Sequence, residues 1–174
     1  MSSAGQSTAP ARITYARQAR ARWGRRAYLA LLGGFLLLGL LNVFGSRTGT
    51  ASAAANGYTL RVEYPATTRS SLPVTWQLTL KHPGGFAGPV RIGMPIEYFN
   101  LFDFNNTYPL PTDTLNEGGL VIMVFPAPAG DTLEVLLDAR TQPGLRAGMS
   151  ATTAVLDDGN RALVSVHYTT RVVP

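Results

Sequence analysis

The sequence predicts an all-β extracytoplasmic domain of about seven strands behind one N-terminal transmembrane α-helix. Three observations predict it. Residues 27–46, AYLALLGGFLLLGLLNVFGS, run without a charge. From Tyr58 onward, apolar and polar residues alternate with a period of two. Turn residues punctuate that alternation at regular spacing, and no helical period interrupts it.

The uncharged run is long enough to span. At about 1.5 Å per residue its twenty residues rise about 30 Å as a helix, the thickness of a bilayer's hydrocarbon core. Eight of them are leucine, each favouring insertion by roughly 0.3–0.6 kcal/mol. Asn42, the strongly polar member, sits near the exit, where burial costs little. Ala30 and Gly34 form a small-xxx-small pair suited to helix packing.

The flanks set orientation. Arg12, Arg17, Arg20, Arg22, Arg25 and Arg26 precede the run, and the first 26 residues hold no acid. A Lys/Arg excess in a short flank marks the cytoplasmic side. Arg20, Arg22, Arg25 and Arg26, nearest the run, therefore keep the N-terminus inside. The chain is expected to be a single-pass protein of the cell membrane with residues 57–174 outside. Trp23 and Tyr28 bracket the inner end at headgroup depth.

The net charge of +5 is then no sign of nucleic acid. The tail supplies all of it, and residues 57–174 hold eight basic and ten acidic residues. The lipid bilayer is the partner the arginines imply. A second reading makes the same segment an export signal. Arg25-Arg26-Ala27-Tyr28-Leu29 resembles a twin-arginine motif, and Ala51-Ser52-Ala53 and Ala53-Ala54-Ala55 fit a small-x-small cleavage rule. The apolar core is longer than the usual signal core of about 7–15 residues, which favours an uncleaved anchor.

The chain divides into four parts. Residues 1–26 are a disordered to arginine-rich cytoplasmic tail, and 27–46 span. Residues 47–56, RTGTASAAAN, read as a flexible small-residue linker. Residues 57–174 form the folded domain. There is no cysteine, so the domain holds itself together without disulfides.

Its strands follow in order. Tyr58, Leu60, Val62 and Tyr64 alternate with polar residues until Pro65, expected to close the strand. Val74, Trp76, Leu78 and Leu80 alternate up to a His82-Pro83-Gly84-Gly85 turn. Val90–Ile96 is a shorter strand between prolines. Leu120–Phe125 is continuously apolar, as in a buried strand. Leu133, Val135, Leu137 and Ala139 alternate again. Met149–Leu156 and Leu163–Val173 flank Asp157-Asp158-Gly159-Asn160, a hairpin signal. Seven such strands in about 118 residues form the pattern of an immunoglobulin-like sandwich, with Trp76 at its centre.

Pro73–Leu80 with Gly84-Gly85, followed by Pro126-Ala127-Pro128-Ala129-Gly130-Asp131-Thr132-Leu133, resembles the Ig-like adhesion and surface domains of bacterial envelopes. The C-terminal hairpin resembles their closing hairpin. The layout is similar to small single-span envelope proteins of high-GC Gram-positive bacteria. The resemblance implies a sandwich and no particular activity.

Signs of chemistry are few. His82 in a turn and His167 on a strand's polar side do not make a metal site. Asp157-Asp158-Gly159-Asn160 has calcium-ligand chemistry but serves an ordinary turn equally well. Glu97, Asp103, Asp113 and Glu117 surround one loop without glycosidase spacing. No catalytic residue, cofactor site or metal site is predicted.

Glu97–Pro111 departs from an ordinary sandwich. It holds Tyr98, Phe99, Phe102, Phe104 and Tyr108. In an extended chain Tyr98 and Phe99 cannot both face the core. The five aromatics are candidates for a partner surface, because exposed aromatics concentrate binding energy. The function expected is a non-catalytic, membrane-anchored interaction module, an accessory subunit or partner of another membrane protein. The alternative is an exported or anchored envelope domain that binds glycan.

Overall fold

The computed structural model describes residues 12–40, 46–144 and 147–173. Two compact units divide between Phe44 and Gly45. The first holds helix α1, Arg12–Leu40. The helix therefore begins within the arginine-rich segment and carries Arg20, Arg22, Arg25 and Arg26 before the apolar run. The side chains of Leu31, Phe35, Leu37 and Leu40 are exposed on it. Among the described residues no helix is long and apolar enough to cross a membrane. Only Ala27–Leu40 of the uncharged run lies within α1, and residues 41–45 fall outside the described residues. Residues 1–11 also lie outside them.

The second unit is an all-β sandwich. Its strands are β1 Arg47–Ala55, β2 Tyr58–Arg69, β3 Pro73–Lys81, β4 Val90–Pro95, β5 Phe102–Tyr108, β6 Asp113–Glu117, β7 Leu120–Phe125, β8 Thr132–Thr141, β9 Met149–Leu156 and β10 Ala162–Val173. One helical turn, α2 Ile96–Phe99, follows β4. One layer runs β5-β8-β3-β2, with β1 paired to β2. The other runs β10-β9-β4-β7-β6. Strand β10 joins them. Its body pairs antiparallel with β9, and Arg171–Val173 pair in parallel with Thr67–Arg69 of β2. The seven expected strands are present, and β1, β5 and β6 are additional.

Strand β1 corrects the linker expectation. Every residue from Arg47 to Ala55 has a register partner on β2. The small residues are there for packing. Ala51 and Ala53 sit on the core, and a Cβ at Gly49 would come within 2.8 Å of the Tyr64 ring. That ring stacks on Tyr168 with centroids 4.5 Å apart, leaving room above it only for glycine. Pro65 does not close β2, which continues to Arg69. Pairing with β3 ends at Glu63, so the missing N–H of Pro65 costs no bond on that side.

The core follows the alternation. Leu60, Val62, Trp76, Leu78, Leu80, Val135 and Leu137 of one layer face Ile92, Met94, Phe125, Val155, Val164 and Val166 of the other, all buried. Trp76 is fully buried, as its strand phase predicts.

Candidate partner surface

The aromatic segment divides in two. Upstream, the chain is not extended: the turn of α2 swings Tyr98 into the core, where it is fully buried. Phe102 is buried as well. Both pack edge-on against the Trp76 indole, at centroid distances of 6.3 and 4.6 Å. Phe99 and Phe104 are half-buried and stack on each other at 4.0 Å, closing the side of that cluster. Tyr98 and Phe102 are therefore core residues rather than partner contacts, and Phe99 and Phe104 pack against the edge of the same core. A helical turn satisfies what an extended chain could not.

The buried hydroxyls are paired. The Tyr98 hydroxyl shares a 2.7 Å hydrogen bond with Thr170, and Tyr168 shares one of 2.7 Å with Thr153. Burial pushes the Tyr98 hydroxyl up to about 12, opposed by the Thr170 hydroxyl and the Trp76 indole. The indole N–H lies close enough to favour the phenolate but completes no hydrogen bond. Burial raises Tyr168 as well, and Tyr98 adds to it.

Downstream, the chain turns outward. Tyr108 is 72% exposed at the end of β5, and Leu110, two residues on, is 75% exposed. Leu136 faces Tyr108 across the β5–β8 register and is itself partly exposed. Its neighbours on that face of β8 are Glu134 and Asp138, and beyond it on β3 lies Gln77. Tyr108 and Leu136 thus form an apolar pair that interrupts a polar sheet face at β5, which ends its layer, and Leu110 is exposed in the segment that follows. Leu110 and Leu136 escaped the sequence reading. Leu136 breaks the polar side of β8's alternation, which was the available signal.

The other candidates are accounted for locally. Asp157 accepts from the backbone N–H groups of Gly159 and Arg161 and from the Arg161 guanidinium. Those contacts, the Arg161 backbone first, hold its carboxyl below the usual range. Asn160 accepts from Arg91. The Asp157–Asn160 segment is thus used as a turn. His82 stacks on Tyr58 at 4.1 Å, and His167 bonds Thr152. Glu97 lies on α2, Asp103 on β5, and Asp113 and Glu117 at opposite ends of β6, all exposed. Among the described residues no group of three His, Cys, Asp or Glu could hold a metal. A cavity of about 320 Å³ lies between Tyr58, Phe86, Leu163 and the Asp157 turn. One face of its Tyr58 ring is covered by His82, so it offers a sugar little open aromatic surface. Arg22, Arg25, Arg26, Ala30 and Gly34 are exposed on α1. Among the described residues, the helix's own backbone apart, nothing lies within 4 Å of where a Gly34 Cβ would be.

No family model matches the sequence, and no curated protein does. Among the solved structures similar to it are the following two. One is a non-cellulosomal cohesin from the hyperthermophilic archaeon Archaeoglobus fulgidus, 14% identical, with a TM-score of 0.37 over 74% of this chain and 92% of that one. The other is the soluble domain of PmoD from a Methylocystis species, 10% identical, with a TM-score of 0.34 over 70% of this chain and 96% of that one. Likeness of this degree says nothing of a ligand or partner for this chain.

Proposed function

We propose that this chain is a non-catalytic, membrane-anchored interaction module, an accessory partner of another membrane protein. Residues 27–46 cross the cell membrane with the N-terminus in the cytoplasm, and Ala30 and Gly34 offer a packing face there. The immunoglobulin-like sandwich stands outside. The observation that carries this reading is the exposed pair of Tyr108 and Leu136, facing each other across the register of an end strand, with Leu110 exposed two residues on. A single apolar residue on a sheet face is ordinary, whereas an aromatic set beside a leucine forms the kind of centre around which interfaces are built.

β1 supports the uncleaved anchor over the exported form. A cut near Ala53–Ala55 would strip β2 of one of the strands it pairs with. Intact mass from washed membranes tests this. The full chain is expected, and a species beginning at Ala54 or Asn56 would overturn it. For the contact itself, Tyr108→Ala with Leu136→Ser should abolish co-purification of a membrane protein with the full chain. Retained co-purification would move the contact elsewhere. Reporter fusions at residues 10 and 174 test orientation, and an external signal from the first would overturn it.

A further inference from the structure

The sandwich follows the uncharged run directly in the sequence. That run ends at Ser46, and β1 begins at Arg47 already paired to β2. The end of the sandwich where β1 starts is therefore the end closest along the chain to residues 27–46.

The strand registers gather arginines at that end. Arg47 and Arg171 both face Thr67, and Val173 faces Arg69. Arg140 lies across from Pro73. The Ser70–Leu72 turn is tied to the same place. The Ser71 N–H donates to the Thr141 carbonyl, and the Thr141 N–H donates to the Leu72 carbonyl. Leu72 is exposed on this turn. Arg47, Arg140 and Arg171 are exposed and Arg69 is half-buried. Among the described residues, none of these four makes an ion pair. The two ion pairs, Arg61 with Glu63 and Arg161 with Asp157, lie elsewhere. Of the carboxylates at this end, Asp103 is Arg140's neighbour on β5, while Glu97 and Glu117 sit on α2 and β6 of the other layer. The opposite end carries Asp131, Asp157 and Asp158 together with Lys81, Arg91 and Arg161, the last paired with Asp157.

Resting on the anchored reading above, we infer that this arginine corner docks on anionic phospholipid headgroups of the leaflet from which the chain emerges, with Leu72 dipping between them. Unpaired guanidinium groups suit phosphate in charge and in hydrogen-bond geometry. Neighbouring strands stand about 4.8 Å apart, so Arg47, Arg69 and Arg171, on β1, β2 and β10, lie close together, with Arg140 two strands beyond β2. Each arginine near an anionic surface strengthens attachment roughly five-fold. Docking at the corner fixes the tilt of the sandwich and holds the β5 pair at a constant height above the bilayer.

The chain has no native cysteine, so a single label can be placed in the full-length protein. Leu72→Cys carries a fluorophore, and Asp131→Cys at the opposite end serves as the control. Both are reconstituted in vesicles of phosphatidylcholine, with or without phosphatidylglycerol, containing a spin-labelled quencher lipid. The label at 72 should be quenched in the phosphatidylglycerol vesicles and released by high salt. The label at 131 should not be quenched. The combined variant R47Q/R140Q/R171Q should lower the docked-to-free ratio roughly a hundred-fold, following the five-fold contribution of each arginine. Equal quenching in both lipids, or quenching indifferent to salt and to the three substitutions, overturns the inference in favour of an apolar or protein contact. Alkaline carbonate extraction of the same vesicles separates the two levels. A chain that is retained but unquenched at 72 sinks this inference alone. A chain that is released sinks the anchored reading and this inference with it.

Discussion

Phe102 and Tyr108 stand on the same short strand, six residues apart, and do opposite work. Phe102 is buried edge-on against Trp76, while Tyr108 is nearly three-quarters exposed beside Leu136. Composition does not separate them. What separates them is the irregularity between Phe104 and Asn106: before it Phe102 and Phe104 pair with the inward-facing Thr141 and Ala139, and after it Tyr108 pairs with the outward-facing Leu136. An aromatic cluster in a sequence is thus two signals overlaid, one for packing and one for presentation. Only the path of the backbone tells them apart.

That comparison can be sharpened by substitution. The largest effect belongs to the packed half. Trp76→Ala should cost about 3–5 kcal/mol, because Tyr98, Phe102 and Phe104 all rest on its ring. Thermal unfolding measures it, and a shift of only a degree or two would mean the ring faces solvent. Next comes a pH effect. The Tyr98 hydroxyl titrates near 10 in the unfolded chain and near 12 in the fold. A raised value favours the neutral form in the fold. Its contribution is therefore complete below pH 10 and is lost as pH rises through 12, roughly 2–3 kcal/mol in all. Denaturant titrations across that window should show the fall. Tyr98→Phe should make it shallower, with Tyr168, raised by burial too, supplying the rest.

Gly49→Val should cost about 1–3 kcal/mol by overpacking against Tyr64. Unchanged stability would mean that β1 is not seated on β2. Smallest is the presented half. Tyr108→Ala should change stability by less than about 0.5 kcal/mol, as exposed positions do.

The sandwich was legible because alternation survives on β2, β3, β8 and β10, where apolar and polar residues contrast sharply. β1 was not, because Gly49, Ala51 and Ala53 alternate with Thr and Ser and give little hydropathic contrast. Their smallness answers to Tyr64, which lies distant in sequence. β5 and β6 were hidden differently. Phe102–Tyr108 alternates only until the irregularity between Phe104 and Asn106, and Asp113–Glu117 carries a single apolar residue, Leu115. α2 has four residues, too few for a helical period. At the candidate surface, Tyr108 was legible as an aromatic outside the alternation. Leu136 shows its role only when β8 is laid against β5.

The most direct test compares the two ends of β5 in one protein. Phe102→Ala and Tyr108→Ala, each in the full chain, are measured for melting temperature and for co-purification of a membrane protein. Phe102→Ala should lower the melting temperature strongly, by about 3–5 kcal/mol of stability. Tyr108→Ala should leave melting unchanged and lose the co-purifying protein. A Tyr108→Ala variant that melts early, or that keeps its partner at full yield, would contradict this division of β5.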